Sequence, residues 1–158
     1  MPTWTRICCP VDLSPPSRLA METAAELASR FGAELTLLHV VERVPRPVTS
    51  DTLVSPREVL ELTGFELERA VAEWRDAAVR TASRPVDYAL VPGHPATEIA
   101  RFAGEGRFDL LVMGTHGQTE LEHAILGSVA ERVVREAPCT VLVVRPRPSR
   151  AADRLPAP

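Results

Sequence analysis

The segment best equipped for chemistry follows a short apolar run, Leu110 to Met113, and reads Gly114, Thr115, His116, Gly117, nine further residues, then Gly127 and Ser128. Glycines let backbone N–H groups approach an anion closely, and a helix opening after Gly127 adds orphan donors and the positive end of a dipole. Such a segment suits a polyphosphate. A plainer reading fits the same residues, with Gly114 and Gly117 as ordinary loop glycines and Ser128 with Glu131 as a capping box. Spacing alone leaves the two readings level. A second candidate group is Pro10, Val11 and Asp12, where a carboxylate ends an apolar run. That carboxylate can accept from ribose hydroxyls or an adenine amine, or it can cap the turn that follows.

Other chemistries find less support. All 18 basic residues are arginine, so the chain cannot supply the lysine of a Walker-type phosphate loop or a Schiff-base amine. Ser14 has no histidine-acid partner placed by motif, and a G-x-S-x-G elbow is absent. His116, Glu120 and His123 fall short of a zinc set, because Gly117 makes the segment a loop and no cysteine or third histidine is adjacent. His39, in an apolar run, and His94, before a helix, read as satisfied core or capping histidines and are assigned no role. Three cysteines, Cys8, Cys9 and Cys139, form no metal spacing and are an odd number. They read as small buried hydrophobes in a reducing cytoplasm, with Cys8 and Cys9 on opposite faces of a strand.

The totals narrow the partners. A net charge of −3, without a basic stripe or aromatic platform, makes nucleic acid a poor candidate. The apolar runs are far shorter than the roughly 20 residues of a membrane helix, and the N-terminus lacks the pattern of a secretory leader. The expectation is a protein of the cytoplasm with neither nucleic-acid nor membrane contact.

The elements that must position these groups can be read from period. Ile7 to Val11, Leu35 to Val41, Val86 to Val91, Leu110 to Met113 and Val141 to Val144 are short apolar runs rich in β-branched residues, which makes five strands. Helical spacing lies between them, at Ala20, Ala24, Leu27 and Phe31; at Leu60, Leu67, Val71, Trp74 and Ala78; at Ile99 and Ala103; and at Val129, Val133 and Ala137. Ser55, Pro56 and Glu58 announce the second helix, and Ser14 with Pro15 and Gly93 with Pro95 open the first and third. Strict alternation implies parallel strands joined by right-handed crossovers, an open α/β sheet with helices on both faces. Val86, Tyr88 and Leu90 alternate with Asp87 and Ala89, which suits an edge, so the expected strand order is 3-2-1-4-5. The other edge, Thr140 to Val144, is uninterrupted by charge and is expected to pair in a homodimer. Residues 43–55 read as irregular, and 146–158, with four prolines, as a disordered tail after one domain spanning 1–145. Ligands of open parallel sheets sit beyond the carboxyl ends of the strands where the order reverses, here between the first and fourth strands.

At these positions the chain resembles the universal stress proteins. The likeness is carried by Pro10-Val11-Asp12, by Leu38-His39-Val40, by Gly114-Thr115-His116-Gly117, by Leu126 through Val133, and by Ala137-Pro138-Cys139 before Val141 to Val144. It covers about residues 4 to 145, in the family's order, with the glycine-serine spacing of its ATP-binding branch. The resemblance implies a Rossmann-like fold of the adenine nucleotide alpha hydrolase type. It also implies that Asp12 and the backbone of Val40 hold adenosine, with Pro10 and Val11 shaping the pocket floor and Met113 lining the base. Gly114, Gly117, Gly127, Ser128 and Val129 would take the phosphates, with His116 beside them.

The loop departs from the family pattern, with Gln118 where arginine is common, Glu120 where glycine is common, and Glu122 following. Two carboxylates repel a polyphosphate unless a divalent cation intervenes, so ATP is expected with Mg²⁺ or Mn²⁺. The leading expectation is an ATP-dependent regulatory module of the stress response, engaging an unidentified protein partner, with no catalytic residue assigned. The alternatives are a slow ATPase or nucleotidyl-transfer enzyme using His116 or Glu120, and a structural dimer of the same fold that holds no nucleotide.

Overall fold

The computed structural model describes residues 3–42, 56–116 and 126–146, with the side chains of 56–63 outside the description. The irregular segment 43–55, the cap Ser55, and residues 147–158 of the expected tail all lie outside the described residues. Nine elements alternate: β1 (Arg6–Pro10), α1 (Pro15–Phe31), β2 (Glu34–Val41), α2 (Pro56–Ala82), β3 (Val86–Pro92), α3 (Pro95–Glu105), β4 (Leu110–Gly114), α4 (Ser128–Glu136) and β5 (Thr140–Val144). All strand pairs are parallel and the order is β3-β2-β1-β4-β5, as the alternation predicts.

Helix α1 shows why the sequence folds this way locally. Ser14 is its N-cap, with the Ser14 hydroxyl accepting from the Ser17 N–H, and Pro15 stands in the first turn, where no intrahelical donor is lost. Gly32 ends it at φ 65°, a left-handed conformation that a side chain would strain, and its N–H bonds the Ala28 carbonyl. Between the caps a stripe of small residues, Ala20, Ala24, Ala25 and Ala28, is fully buried and lets the helix lie close on the sheet.

Side-chain alternation divides the core into two layers. Ile7, Cys9, Leu35, Leu37, Leu110 and Val112 face α1 and α2, whereas Cys8, Leu38, Leu111 and Met113 face α3 and α4. Each fully buried leucine or isoleucine contributes about 1.5–3 kcal/mol from burial, so the central strands anchor both layers. Cys8 and Cys9 do point to opposite faces, and burial pushes both thiols well above their usual range. At the amino ends of the strands, Asp109 takes the Thr5 N–H at 2.8 Å and the Thr5 hydroxyl at 2.7 Å, tying the entry of β1 to that of β4. The edge β3 exposes Asp87 and Tyr88, and the opposite edge β5 leaves Leu142 36% exposed.

Candidate functional site

The order of strands reverses between β1 and β4, whose carboxyl ends diverge toward α1 and α4, and a cleft of about 650 Å³ opens there. Its floor comes from Pro10, Val11 and Asp12 at the end of β1 and from Leu38, His39 and Val40 of β2. Met113, Gly114, Thr115 and His116 close it from β4, and Ser128, Val129, Ala130 and Arg132 from the opening turns of α4. Nine of the eleven candidate residues therefore line one cavity: Pro10, Val11, Asp12, Val40, Met113, Gly114, His116, Ser128 and Val129. Gly127 acts at its border, donating its N–H to the Thr115 carbonyl at 2.7 Å and so bringing together the two ends of the glycine segment. Gly117 lies outside the described residues, as do Gln118, Glu120, Glu122 and His123.

Hydrogen bonds hold the floor in place. The Val11 N–H donates to the Leu38 carbonyl at 2.8 Å, extending the β1–β2 pairing past the last strand residue. His39 Nδ1 lies 2.8 Å from the Val11 carbonyl, and because a carbonyl only accepts, Nδ1 carries the proton. His39 is thus satisfied, as expected, but it also lines the cleft. Asp12 Oδ1 accepts from the Ser14 N–H at 3.0 Å and from the Ser14 hydroxyl, so its carboxylate does brace the turn into α1. The Asp12 N–H donates to Ser17 Oγ at 3.2 Å, which fixes the other side of the same turn. Between Asp12 and Ser14, Leu13 adopts φ 64°, a left-handed conformation costly for a leucine and over-determined here by its hydrogen-bonded neighbours.

The glycine-rich face differs in detail from its sequence reading. Gly127, not Ser128, is the N-cap of α4, so Ser128 and Glu131 stand at the wrong helical positions for a capping box. A glycine cap has no side chain with which to bond the first-turn N–H groups, and Gly127 makes no side-chain cap bond to them. Gly127 itself has φ −71°, an ordinary value, and Gly114 is absent from the positive-φ glycines. Gly114 is needed for space, since a Cβ there would meet the Pro16 backbone at 3.0 Å. Thr115 is 3% exposed, and its hydroxyl meets His116 Nδ1 at 3.0 Å.

Among the lining residues to which the sequence assigned no role are three with side-chain nitrogens, His39, His94 and Arg132. His94 occupies the N-cap position of α3 without a side-chain cap bond. Arg132 follows Ser128 by four residues on one helix face, inside the stretch from Leu126 through Val133 that carries the family likeness, where it was given no role of its own. Among the described residues no group of three or more histidine, cysteine, aspartate or glutamate side chains could hold a metal ion. The arrangement can therefore take an uncharged ring at the β1–β2 floor and an anion at the α4 opening.

Comparison with known proteins agrees with this frame. A sequence model of the universal stress protein family matches residues 3–145. A universal stress protein of Methanocaldococcus jannaschii is 37% identical over 142 residues, covering 90% of this chain and 82% of that protein. The universal stress protein UspA of Lactobacillus plantarum superposes with a TM-score of 0.76 at 26% identity, over 92% of this chain and 100% of its own. Two further structures share the fold: a universal stress protein in complex with cAMP, and one from Archaeoglobus fulgidus in complex with dAMP. The first has a TM-score of 0.69 at 22% identity, over 91% of this chain and 98% of its own. The second has a TM-score of 0.64 at 19% identity, over 90% of this chain and 98% of its own. With the family match running from before β1 to the residue after β5, and the reversal-point cleft in its midst, the chain belongs to the universal stress protein family.

Proposed function

We propose that this protein is an ATP-binding, nucleotide-dependent regulatory module of the universal stress type. The observation that carries the reading is that one cleft brings a carboxylate-bearing floor, Asp12 with Val40, opposite the glycine-capped start of α4. Asp12 would hold the ribose, the backbone of Val40 the adenine, and Met113 the base's flank. Gly114, Gly127, Ser128 and Val129 would receive the phosphates, together with Gly117 of the segment outside the description, and His116 stands beside them. Complexes of fold neighbours with cAMP and dAMP support an adenine nucleotide as the ligand class.

A divalent cation fits this site as a chelate of the nucleotide's own phosphates. The described residues offer no side-chain cage for one, which is the usual situation for magnesium bound through phosphates and water. The edge strand β5, with Leu142 uncovered, supports a homodimer paired there, giving a surface that nucleotide occupancy could alter for a protein partner.

The decisive measurement is to denature freshly purified protein and chromatograph what it releases, followed by thermal melts with ATP, ADP and AMP. ATP is expected in the released fraction, and ATP is expected to raise the melting temperature most. Equal shifts for all three nucleotides would contradict phosphate sensing, and no shift with any of them would overturn nucleotide binding.

A further inference from the structure

We infer that Arg132 is the phosphate-counting residue of the cleft, a guanidinium that leaves its helical partner Glu136 to meet the distal phosphates of the nucleotide. The inference rests on the nucleotide reading above and deepens it. Charge is the first argument. Among the described residues that line the cleft, Arg132 is the one permanently charged cation, while Asp12 and Glu42 are both acidic. The chain contains no lysine that could take the part. A triphosphate entering such a cleft meets net repulsion unless a fixed positive group faces it, and an arginine fork suits phosphate oxygens better than any other side chain.

Position is the second argument. Arg132 lies four residues after Ser128 on the same face of α4, and both line the cavity, about 6 Å apart along the helix axis. Helical side chains lean toward the N-terminus, so an extended Arg132 can reach back over the first turn. The third argument is its present partner. Arg132 Nε donates to Glu136 Oε1 at 2.9 Å, with both side chains roughly two-fifths exposed. Exposed pairs of this spacing hold weakly, and such side chains change rotamer within nanoseconds, so the guanidinium can be exchanged from carboxylate to phosphate. Glu136 then acts as a parking partner that keeps the arginine ordered when no ligand is present.

Calorimetric titration of the full chain with ATP, ADP and AMP, in magnesium-containing buffer, tests this in three proteins: unaltered, Arg132→Gln and Glu136→Gln. For Arg132→Gln the dissociation constant of ATP is expected to rise about tenfold and that of AMP to stay within about twofold, with ADP between them. The salt dependence of ATP binding should become shallower in the same variant. Glu136→Gln, which frees the guanidinium, should tighten ATP by about twofold, against the weak pairing it removes. Equal losses for all three nucleotides, or ATP affinity unchanged in Arg132→Gln, would overturn the role of Arg132 while leaving nucleotide binding standing. Failure of the unaltered protein to bind any adenine nucleotide would overturn both. Circular dichroism of each variant shows whether α4 is intact, and Arg132→Lys, which keeps the charge but not the fork, should fall between the unaltered protein and Arg132→Gln.

Discussion

Gly114 and Pro16 are packed backbone against backbone: a Cβ on Gly114 would stand 3.0 Å from the carbonyl carbon and oxygen of Pro16. The end of β4 and the start of α1 are thereby locked together directly beneath the cleft. A glycine that reads in sequence as part of a phosphate loop thus has a structural duty of its own. Gly114→Ala is expected to cost about 1–3 kcal/mol, because the obstructing atoms are backbone and must move. Urea denaturation without nucleotide checks it: the midpoint should fall with an unchanged slope, and an unaltered midpoint would mean that the contact relaxes freely.

Asp12 combines two roles that substitution can separate. Its Oδ1 accepts from the Ser14 N–H and hydroxyl, and an asparagine retains that acceptor but not the charge. Asp12→Asn should change stability by less than about 0.5 kcal/mol, whereas Asp12→Ala should cost about 1–2 kcal/mol, as lost caps and turn bonds do. Both variants should weaken nucleotide binding if the carboxylate holds ribose. Retained affinity in Asp12→Ala would assign the residue to the turn alone.

Acid stability should depend on Asp109, at the end of the sheet away from the cleft. Burial raises its pKa, but the bonds from the Thr5 N–H and hydroxyl and from the Arg6 N–H outweigh that and hold its carboxyl below the usual aspartate range. A lowered folded-state value means that the contribution is complete above the unfolded value, about 3.9, and is lost as pH falls through the folded one. Asp109→Asn should therefore lower the melting temperature at pH 7 and narrow the gap to the unaltered protein as pH drops below about 4. A gap independent of pH would show that the charge has no part in it.

The thiols offer a test of the core. Cys8 and Cys9 are fully buried, and burial raises the pKa of both; Cys139 is raised less and is partly accessible. At pH 7 a thiol-reactive dye should label Cys139 slowly and leave Cys8 and Cys9 unlabelled until the protein unfolds, as burial suppresses both access and the thiolate form. Rapid modification of all three in native buffer would mean that β1 opens far more readily than a central strand should.

Leu142 tests the edge. It is 36% exposed on β5, where no further strand among the described residues covers it. If β5 pairs with a second copy, Leu142→Arg should convert a dimer to a monomer in light scattering, since an unpaired charge in such an interface costs several kcal/mol. An unaltered protein that is already monomeric, or a variant that stays dimeric, would locate the interface elsewhere or nowhere.

Much of the molecule was determined by the chain's own local signals. The five apolar runs became the five strands to within a residue at each end, and Ser14, Pro15 and Gly32 bound α1 where capping chemistry requires. These signals act between near neighbours, so a single sequence displays them. The strand order also followed, because alternating elements leave few right-handed arrangements and the charged Asp87 in the alternating pattern of β3 belongs at an edge. The site was decided by tertiary structure. Pro16 against Gly114, His39 on the Val11 carbonyl, the Thr115–Gly127 bond and Arg132 at the cavity wall join residues from different elements. No spacing rule relates such residues, because what brings them together is the divergence of crossovers at the β1–β4 reversal. There a helix start, two strand ends and one arginine share a cavity only once the sheet has formed.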